Sequence, residues 1–347
     1  MTTFEYLHQQ TVLITGAAGT IGSALAQQIL PHAKTVRCFD HAESELFFLH
    51  QRLSKVRPLS PLLGDIRDLD RLRFAMNGVD VVFHTAALKH VQLGEYNPFE
   101  VVQSNLGGLN NVIRASLDAN VERVIFTSSD KAVNPTNVMG ASKMMGERLM
   151  SAANEIRGTR RTRFGSVRFG NVIGSRGSVV PIFAAQLARG EPLTLTDESM
   201  TRYIMTVKEA AELVLEAGGQ MQGGEVFVTK MSALKIVDLG YAMADLFGRP
   251  DLDWTRIGPR PGEKLYEELI TADETHRTLE LERLLVILPS LETQASASPK
   301  VRYPNGCSVK KTWNSSTDEL MTRPEIANYL RRHRVLDDFR GIAEIVR

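Results

Sequence analysis

The run Thr11-Val-Leu-Ile-Thr15, the turn Gly16-Ala-Ala-Gly19-Thr-Ile-Gly22 and the helical spacing of residues 23–30 leave this chain few folds. Strand, glycine turn and helix in that order form the first half of a βαβ unit. The glycines have separate tasks. Gly16 permits a tight turn, Gly19 lets backbone approach a pyrophosphate, and Gly22 lets the helix pack on the strand. The first helical turn, with Thr20 and Ile21, offers free N–H groups and the positive end of a dipole to phosphate. The spacing is Gly-x-x-Gly-x-x-Gly, not the commonest Gly-x-Gly-x-x-Gly. A dinucleotide site is therefore read from the turn's place between strand and helix.

The strand over 35–39 ends at Asp40, near the offset of about 20 residues at which an acid meets the adenosine ribose. A carboxylate there accepts from both hydroxyls and repels a 2′-phosphate, which favours NAD over NADP. Asp40 also precedes a helical stretch over 43–53 and suits its N-cap; the two roles are compatible. A third strand, 61–66, ends at Asp65 and Ile66, placed to flank an adenine, and Asp68 caps a helix over 69–76. A fourth, 79–84, leads into Thr85-Ala86-Ala87, small enough for close approach to a dinucleotide. Helical stretches over 98–119 carry Asn105, and strands follow at 123–127 and 163–168. The alternation predicts an α/β fold, a Rossmann-type doubly wound parallel sheet.

From residue 172 the segments alternate less regularly. Helices are expected at 182–189, 207–217, 236–247 and 265–269, and strands at 225–229 and 253–257. They predict a smaller substrate-binding region over 172–347, against a cofactor domain over 1–171, with crossings between the two allowed. A strand at 284–288 and an amphipathic helix at 323–333 are expected in the tail, and 290–298 reads as a polar surface loop.

With 347 residues, 43% hydrophobic and 23% charged, the composition is that of a soluble globular protein. A net charge of +1 argues against a broad nucleic-acid or anionic-membrane footprint. Cys38 and Cys307 make neither a disulfide framework nor a metal pattern, so no metal is expected. The start of the chain lacks signal-peptide character, and no apolar run approaches the roughly 20 residues that span a bilayer. A reduced, cytoplasmic setting is the expectation.

The chemistry concentrates at 127–143. The strand ending at Thr127 delivers Ser128, Ser129, Asp130 and Lys131 to the sheet's carboxyl edge, where open α/β sheets bind ligands. Lys143 lies one turn into the next helix. Alone, an Asp-Lys pair at a strand end is more often solvated and inert; the flanking motifs decide otherwise. Ser129 or Thr127 with Met139-x-x-x-Lys143 has the spacing of the short-chain dehydrogenase/reductase site, in which tyrosine normally fills the place of Met139. A thioether cannot take a proton from a hydroxyl. Met139 suits packing against nicotinamide or sugar.

The chain as a whole resembles the nucleotide-sugar 4,6-dehydratases of the extended branch of that superfamily. It is most similar to the inverting UDP-N-acetylglucosamine 4,6-dehydratases of bacterial surface polysaccharide and sialic-acid-like sugar pathways, in their short soluble form. The resemblance rests on the glycine turn, Ala87-Leu-Lys-His-Val91, Glu95-Tyr-Asn-Pro98, Ser129-Asp-Lys-Ala132, Asn134-Pro135, Met139-Gly-Ala-Ser-Lys143, Arg168-Phe-Gly-Asn171, Ser175-Arg-Gly-Ser178, Met200-Thr-Arg202 and Arg260-Pro-Gly-Glu-Lys264. It runs in family order from residue 11 to about 270, and Asn314-Ser-Ser-Thr-Asp318 is similar to the family's tail.

The resemblance implies oxidation at C4 of a UDP-sugar by bound NAD, loss of water across C5 and C6, and return of the hydride to C6. It implies Asp130 as the acid at the C6 hydroxyl, and Lys131 as the base at C5, with inversion. A lysine base needs a pKa well below about 10.4; desolvation and Lys143 would lower it, and Asp130 would oppose. Lys143 is implied at the nicotinamide ribose. Ser129, Lys143 through the ribose or a water, and Asp130 all stand as acceptors of the C4 hydroxyl proton. Lys89, Asn105 and Thr127 join the implied cofactor contacts. Lys89, His90, Asn171, Arg176, Ser178, Arg202, Arg260 and Glu263 are the implied UDP-sugar contacts, with Arg202 and Arg260 the strongest for a diphosphate. A homo-oligomer, dimer or hexamer, follows by analogy. The rivals are a UDP-sugar 4-epimerase, which needs no acid–base pair at C5 and C6, and a non-catalytic NAD-binding regulator.

Overall fold

The computed structural model describes residues 4–55, 59–175, 177–259, 261–290, 302–337 and 339. Two compact units are built from them: one from 1–169, 211–230 and 270–312, the other from 170–210, 231–269 and 313–347. Beyond residue 171, the segments 211–230 and 270–312 thus belong to the first unit.

The strands are β1 (Thr11–Thr15), β2 (Thr35–Asp40), β3 (Ser60–Leu63), β4 (Val81–His84), β5 (Arg123–Thr127), β6 (Arg163–Arg168), β7 (Asn171–Ile173), β8 (Leu193–Leu195), β9 (Thr201–Thr206), β10 (Val226–Thr229), β11 (Ser232–Lys235), β12 (Trp254–Arg256), β13 (Thr278–Glu280), β14 (Leu284–Ile287) and β15 (Cys307–Ser308). The helices are α1 (Thr20–Ile29), α2 (Glu43–Leu53), α3 (Leu69–Met76), α4 (Val91–Tyr96), α5 (Pro98–Val101), α6 (Gly108–Asp118), α7 (Val138–Ile156), α8 (Val179–Arg189), α9 (Val207–Gln220), α10 (Ile236–Leu246) and α11 (Ala272–Thr275), with a last helix over Arg323–Arg332.

In the first unit, ten strands form one sheet in the order β15-β13-β14-β10-β6-β5-β4-β1-β2-β3. From β3 to β10 every pairing is parallel. Strand order reverses between β1 and β4, the switch point at which doubly wound sheets bind ligands. Register sets Thr15 beside His84, and His84 beside Phe126. The central strands are buried on both faces, hence their continuous apolar runs. Leu13, Val82, Val124 and Phe164 pack with Leu72, Met76, Leu109, Val112 and Met150. Burial of each such side chain contributes about 2 kcal/mol. Antiparallel β14, β13 and β15 extend one edge.

The second unit pairs β7 with β9 in parallel, β9 with β11 antiparallel, and β8 with β12 in parallel. Its core joins Phe183, Leu187, Leu193, Met200, Leu239 and Met243 to Ile326 and Leu330 of the last helix. That helix begins with a capping box of Thr322 and Glu325. Tyr203 donates to Asp318, and Tyr329 donates to Glu209 at 2.6 Å. The tail, given no function from sequence, completes this core.

Residues 265–269, expected as a helix, are irregular. Leu265 and Leu269 pair instead with the backbones of Thr201 and Trp313, and Glu267 accepts from Ser315 N. A helix that short is marginal alone, and tertiary pairing wins. β9, whose residues are all buried, showed no alternation and was not expected.

Candidate active site

The glycine turn is held by contacts that exclude side chains. Gly16 takes a left-handed φ of +69°, and a Cβ there would lie 2.6 Å from Ala86 N. A Cβ on Gly22 would lie 2.2 Å from Gly16 O. Gly19 is the N-cap of α1, so Thr20 and Ile21 open its first turn as expected. Asp40 sits buried beside the turn. Its Oδ2 accepts from Ala18 N at 2.9 Å and its Oδ1 from Ala42 N at 3.0 Å. Each oxygen keeps acceptor capacity for a hydroxyl. The N-cap of α2 is Ala42, not Asp40. Asp68 does cap α3, accepting from Arg71 N.

Asp65 is engaged by Arg67, at 2.7 Å through Nη2, and that bond holds its carboxyl below the usual range. Ile66 is core, against Gly108, where a Cβ would lie 2.5 Å from Ile66 Cδ1. Asn105 lies in a π-helical turn, Val102–Gly107, of a kind often found at functional sites. Its amide bonds both Leu88 N (2.8 Å) and Leu88 O (3.0 Å), and donates to Ser142 Oγ (2.9 Å). It therefore fastens the loop of Ala86, Ala87 and Lys89 to α7. His90 is exposed and is the N-cap of α4.

The turn that carries Ser129, Asp130 and Lys131 follows β5. Ser128 N and Asp130 N donate to Val167 O (2.7 Å) and Phe169 O (3.0 Å). Ser129 Oγ donates to Asp130 Oδ1 at 2.8 Å and accepts from Lys131 N at 3.3 Å. Lys131 Nζ meets the same Oδ1 at 2.9 Å. Asp130 is fully buried, and its Oδ2 has no hydrogen-bond partner. Helix α7 lies close against this turn because residue 140 is glycine: a Cβ there would be 2.3 Å from Lys131 O. Asn137 caps α7, accepting from Gly140 N.

Met139 is buried in the first turn of α7. Lys143 Nζ donates to Thr127 O at 2.8 Å and stands 4.6 Å from the centre of the Phe126 ring. Burial lowers its pKa to about 8, against the opposing pull of Glu147. Thr127 Oγ1 donates to His84 O at 3.2 Å.

Sequence reasoning missed His84 and Glu147. His84 Nδ1 and Thr15 Oγ1 are 2.7 Å apart, and its Nε2 is buried without a partner. Burial, with a smaller push from Lys143, lowers its pKa to about 3, so the ring is neutral. Glu147, four residues after Lys143, accepts from Ser128 Oγ and Arg168; the i,i+4 spacing was the available signal.

In the second unit, Asn171 Nδ2 donates to Tyr203 O at 3.2 Å. Ser178 is the N-cap residue of α8, with its Oγ buried and unpartnered. Arg202 is buried and committed to its own unit. It donates to Thr201 O (2.8 Å), Lys264 O (2.7 Å) and Leu265 O (3.2 Å), with Glu267 at 3.6 Å and Glu263 at 4.0 Å. It braces the 263–267 segment. Arg176 and Arg260 lie outside the described residues. Among the described residues no cluster of His, Cys, Asp or Glu could hold a metal ion, and no helix is long and apolar enough to cross a membrane.

A doubly wound sheet with a glycine turn at its switch point, an acid after β2, and a lysine on α7 beside β5 defines a Rossmann-type dinucleotide enzyme of the extended short-chain dehydrogenase/reductase class. Residues 12–289 match the family described as polysaccharide biosynthesis protein. The chain is 40% identical over 287 residues to a UDP-N-acetylglucosamine 4,6-dehydratase (inverting) of Campylobacter jejuni, covering 82% of this chain and 84% of that protein. It is 38% identical to a UDP-glucose 4-epimerase of Rickettsia canadensis, over 78% of this chain and 81% of that one. Among solved structures it resembles Pen from Bacillus thuringiensis, with a TM-score of 0.88 and 38% identity, covering 96% of this chain and 100% of that one. The chain belongs to the polysaccharide biosynthesis family, among its nucleotide-sugar 4,6-dehydratases.

Proposed function

We propose that this enzyme dehydrates a UDP-N-acetylhexosamine, in the first place UDP-N-acetylglucosamine, to its 4-keto-6-deoxy sugar with inversion at C5, using resident NAD. The observation that carries the reading is the Asp130–Lys131 pair, with one buried carboxylate oxygen left unpartnered. An unsatisfied buried acceptor costs free energy until a ligand or a proton satisfies it.

The residues fit a dinucleotide. Gly16 and Gly22 let backbone pack on backbone in the tight turn, Gly19 as N-cap leaves the first N–H groups of α1 for a pyrophosphate, and Asp40 keeps acceptor capacity for a ribose diol. NAD, when bound, accepts a hydride from C4 and later returns it to C6.

A 4-ketone acidifies the C5 proton. For elimination the pair must hold an amine and an acid. Along the 2.9 Å bond between Lys131 Nζ and Asp130 Oδ1 a proton passes from the ammonium to the carboxylate. Neutral Lys131 then takes the C5 proton, and protonated Asp130 supplies the departing C6 hydroxyl. Ser129 Oγ, bonded to Oδ1, steadies the carboxyl. Met139 takes no proton. Lys143, lowered to about 8 by burial, is the group best suited to relay the C4 hydroxyl proton, with Ser129 and Asp130 the other acceptors in reach of the same turn. Lys89, His90, Asn171, Arg176, Ser178, Arg202, Arg260 and Glu263 are the proposed sugar-nucleotide contacts, with Arg202 and Arg260 for the diphosphate.

The 4-epimerase reading draws on the Rickettsia relative's name. An epimerase has no use for an acid–base pair at C5 and C6. Incubation with UDP-N-acetylglucosamine separates the two by mass. Loss of one water supports dehydration; an unchanged mass with a new stereoisomer defeats it.

A further inference from the structure

Beneath the reacting turn runs a buried ionic chain that the scheme above does not use. Glu147 Oε1 accepts from Ser128 Oγ (2.5 Å) and Arg168 Nε (3.1 Å), and Oε2 accepts from Arg168 Nη2 (2.6 Å). Arg168, the last residue of β6, spans to Glu274 with Nη1 at 3.0 Å and Nη2 at 3.1 Å. Glu274 closes on Thr271 N at 2.9 Å, within the capping box of α11. Glu147, Arg168 and Glu274 are 6%, 2% and 7% exposed. Arg277 stands beside Glu274, at 3.5 Å.

Stability alone does not account for such a chain, since apolar residues of similar volume often serve as well or better. What distinguishes it is where it ends. Ser128 is gripped at two points, N by Val167 O and Oγ by Glu147, and the next three residues are Ser129, Asp130 and Lys131. Glu147 shares α7 with Lys143 at i,i+4, so the group that grips the turn is fixed to the helix that carries the cofactor lysine.

We infer that Glu147, clamped by Arg168 and Glu274, is a positioning residue: through Ser128 Oγ it fixes the turn that aims Asp130 and Lys131 at the sugar. The inference rests on the dehydratase reading for its catalytic part. The test uses the full-length enzyme with its cofactor bound. Ser128→Ala removes only the link and keeps the Glu147–Arg168–Glu274 pairs, whereas Glu147→Gln would also leave Arg168 short of a carboxylate. Two readouts are taken: amide hydrogen exchange over 128–132, and kcat and KM for 4-keto product from UDP-N-acetylglucosamine. Exchange in the turn is expected to accelerate about tenfold, with β1 and β2 unchanged. kcat is expected to fall about 10- to 100-fold, with KM little altered, the scale for misplaced reacting groups. Unchanged exchange overturns the clamp; faster exchange with unchanged kcat overturns its catalytic role. A parent enzyme that yields no 4-keto product sinks the dehydratase reading instead, and the exchange measurement still decides the clamp.

Discussion

Asp130, fully buried, and Lys131, partly exposed, share one hydrogen bond, and their proposed work requires the proton in that bond to change sides. Lys131→Ala removes the proposed base at C5. It should lower kcat about 10²- to 10⁴-fold while the purified variant still carries NAD; normal turnover would assign the base elsewhere, and indifference of every readout would favour a regulator. Asp40 offers a second test. Asp40→Asn keeps the acceptor for Ala18 N but drops the charge that repels a 2′-phosphate. Nucleotide extracted from the purified variant should then contain NADP as well as NAD, and NAD alone would remove Asp40 from cofactor choice.

The ionic chain makes an element-scale prediction, because it ties β6, α7 and α11. Burial pushes the Glu274 carboxyl up, but Arg168 outweighs it and leaves the group at about 2. The folded pKa is below the ordinary 4.5, so this contribution is present above 4.5 and is lost as pH falls toward 2. Glu274→Gln should cost about 3 kcal/mol at pH 7, and the Tm gap to the parent should close through that window; a gap independent of pH would contradict the assignment. Such long-range contacts explain what sequence left unread. β1, β2, β4 to β6, α3 and Asp68's cap were legible because periodicity and capping are local. β9 and β11 pair across the chain, and residues 265–269 chose a partner near 313–315 over their own helix. The glycine turn, Asp40 and the 129–143 constellation were legible as types at fixed spacings. The link that joins Glu147, Arg168 and Glu274 was not, since 127 positions separate the two acids and only β6 brings them to one guanidinium.

At the scale of the molecule, each unit is completed by chain that arrives late. β13, β14 and β15 extend the first unit's sheet, and the last helix fills the second unit's core. The expected division at residue 171 allowed crossings without locating them, and 211–230 and 270–312 are the segments that return to the first unit. Truncation before residue 323 should therefore lower Tm by exposing Leu239 and Met243, and an unchanged melting curve would show the last helix to be dispensable. The proposed reaction is a dehydration whose C5 proton leaves and is replaced. It is tested most directly by incubating the full-length enzyme with UDP-N-acetylglucosamine in deuterated water and reading the product by mass and NMR. The prediction is a 4-keto-6-deoxy sugar, lighter by one water, with deuterium at C5 in the inverted configuration. An unchanged sugar mass with only a new configuration at C4 would contradict it.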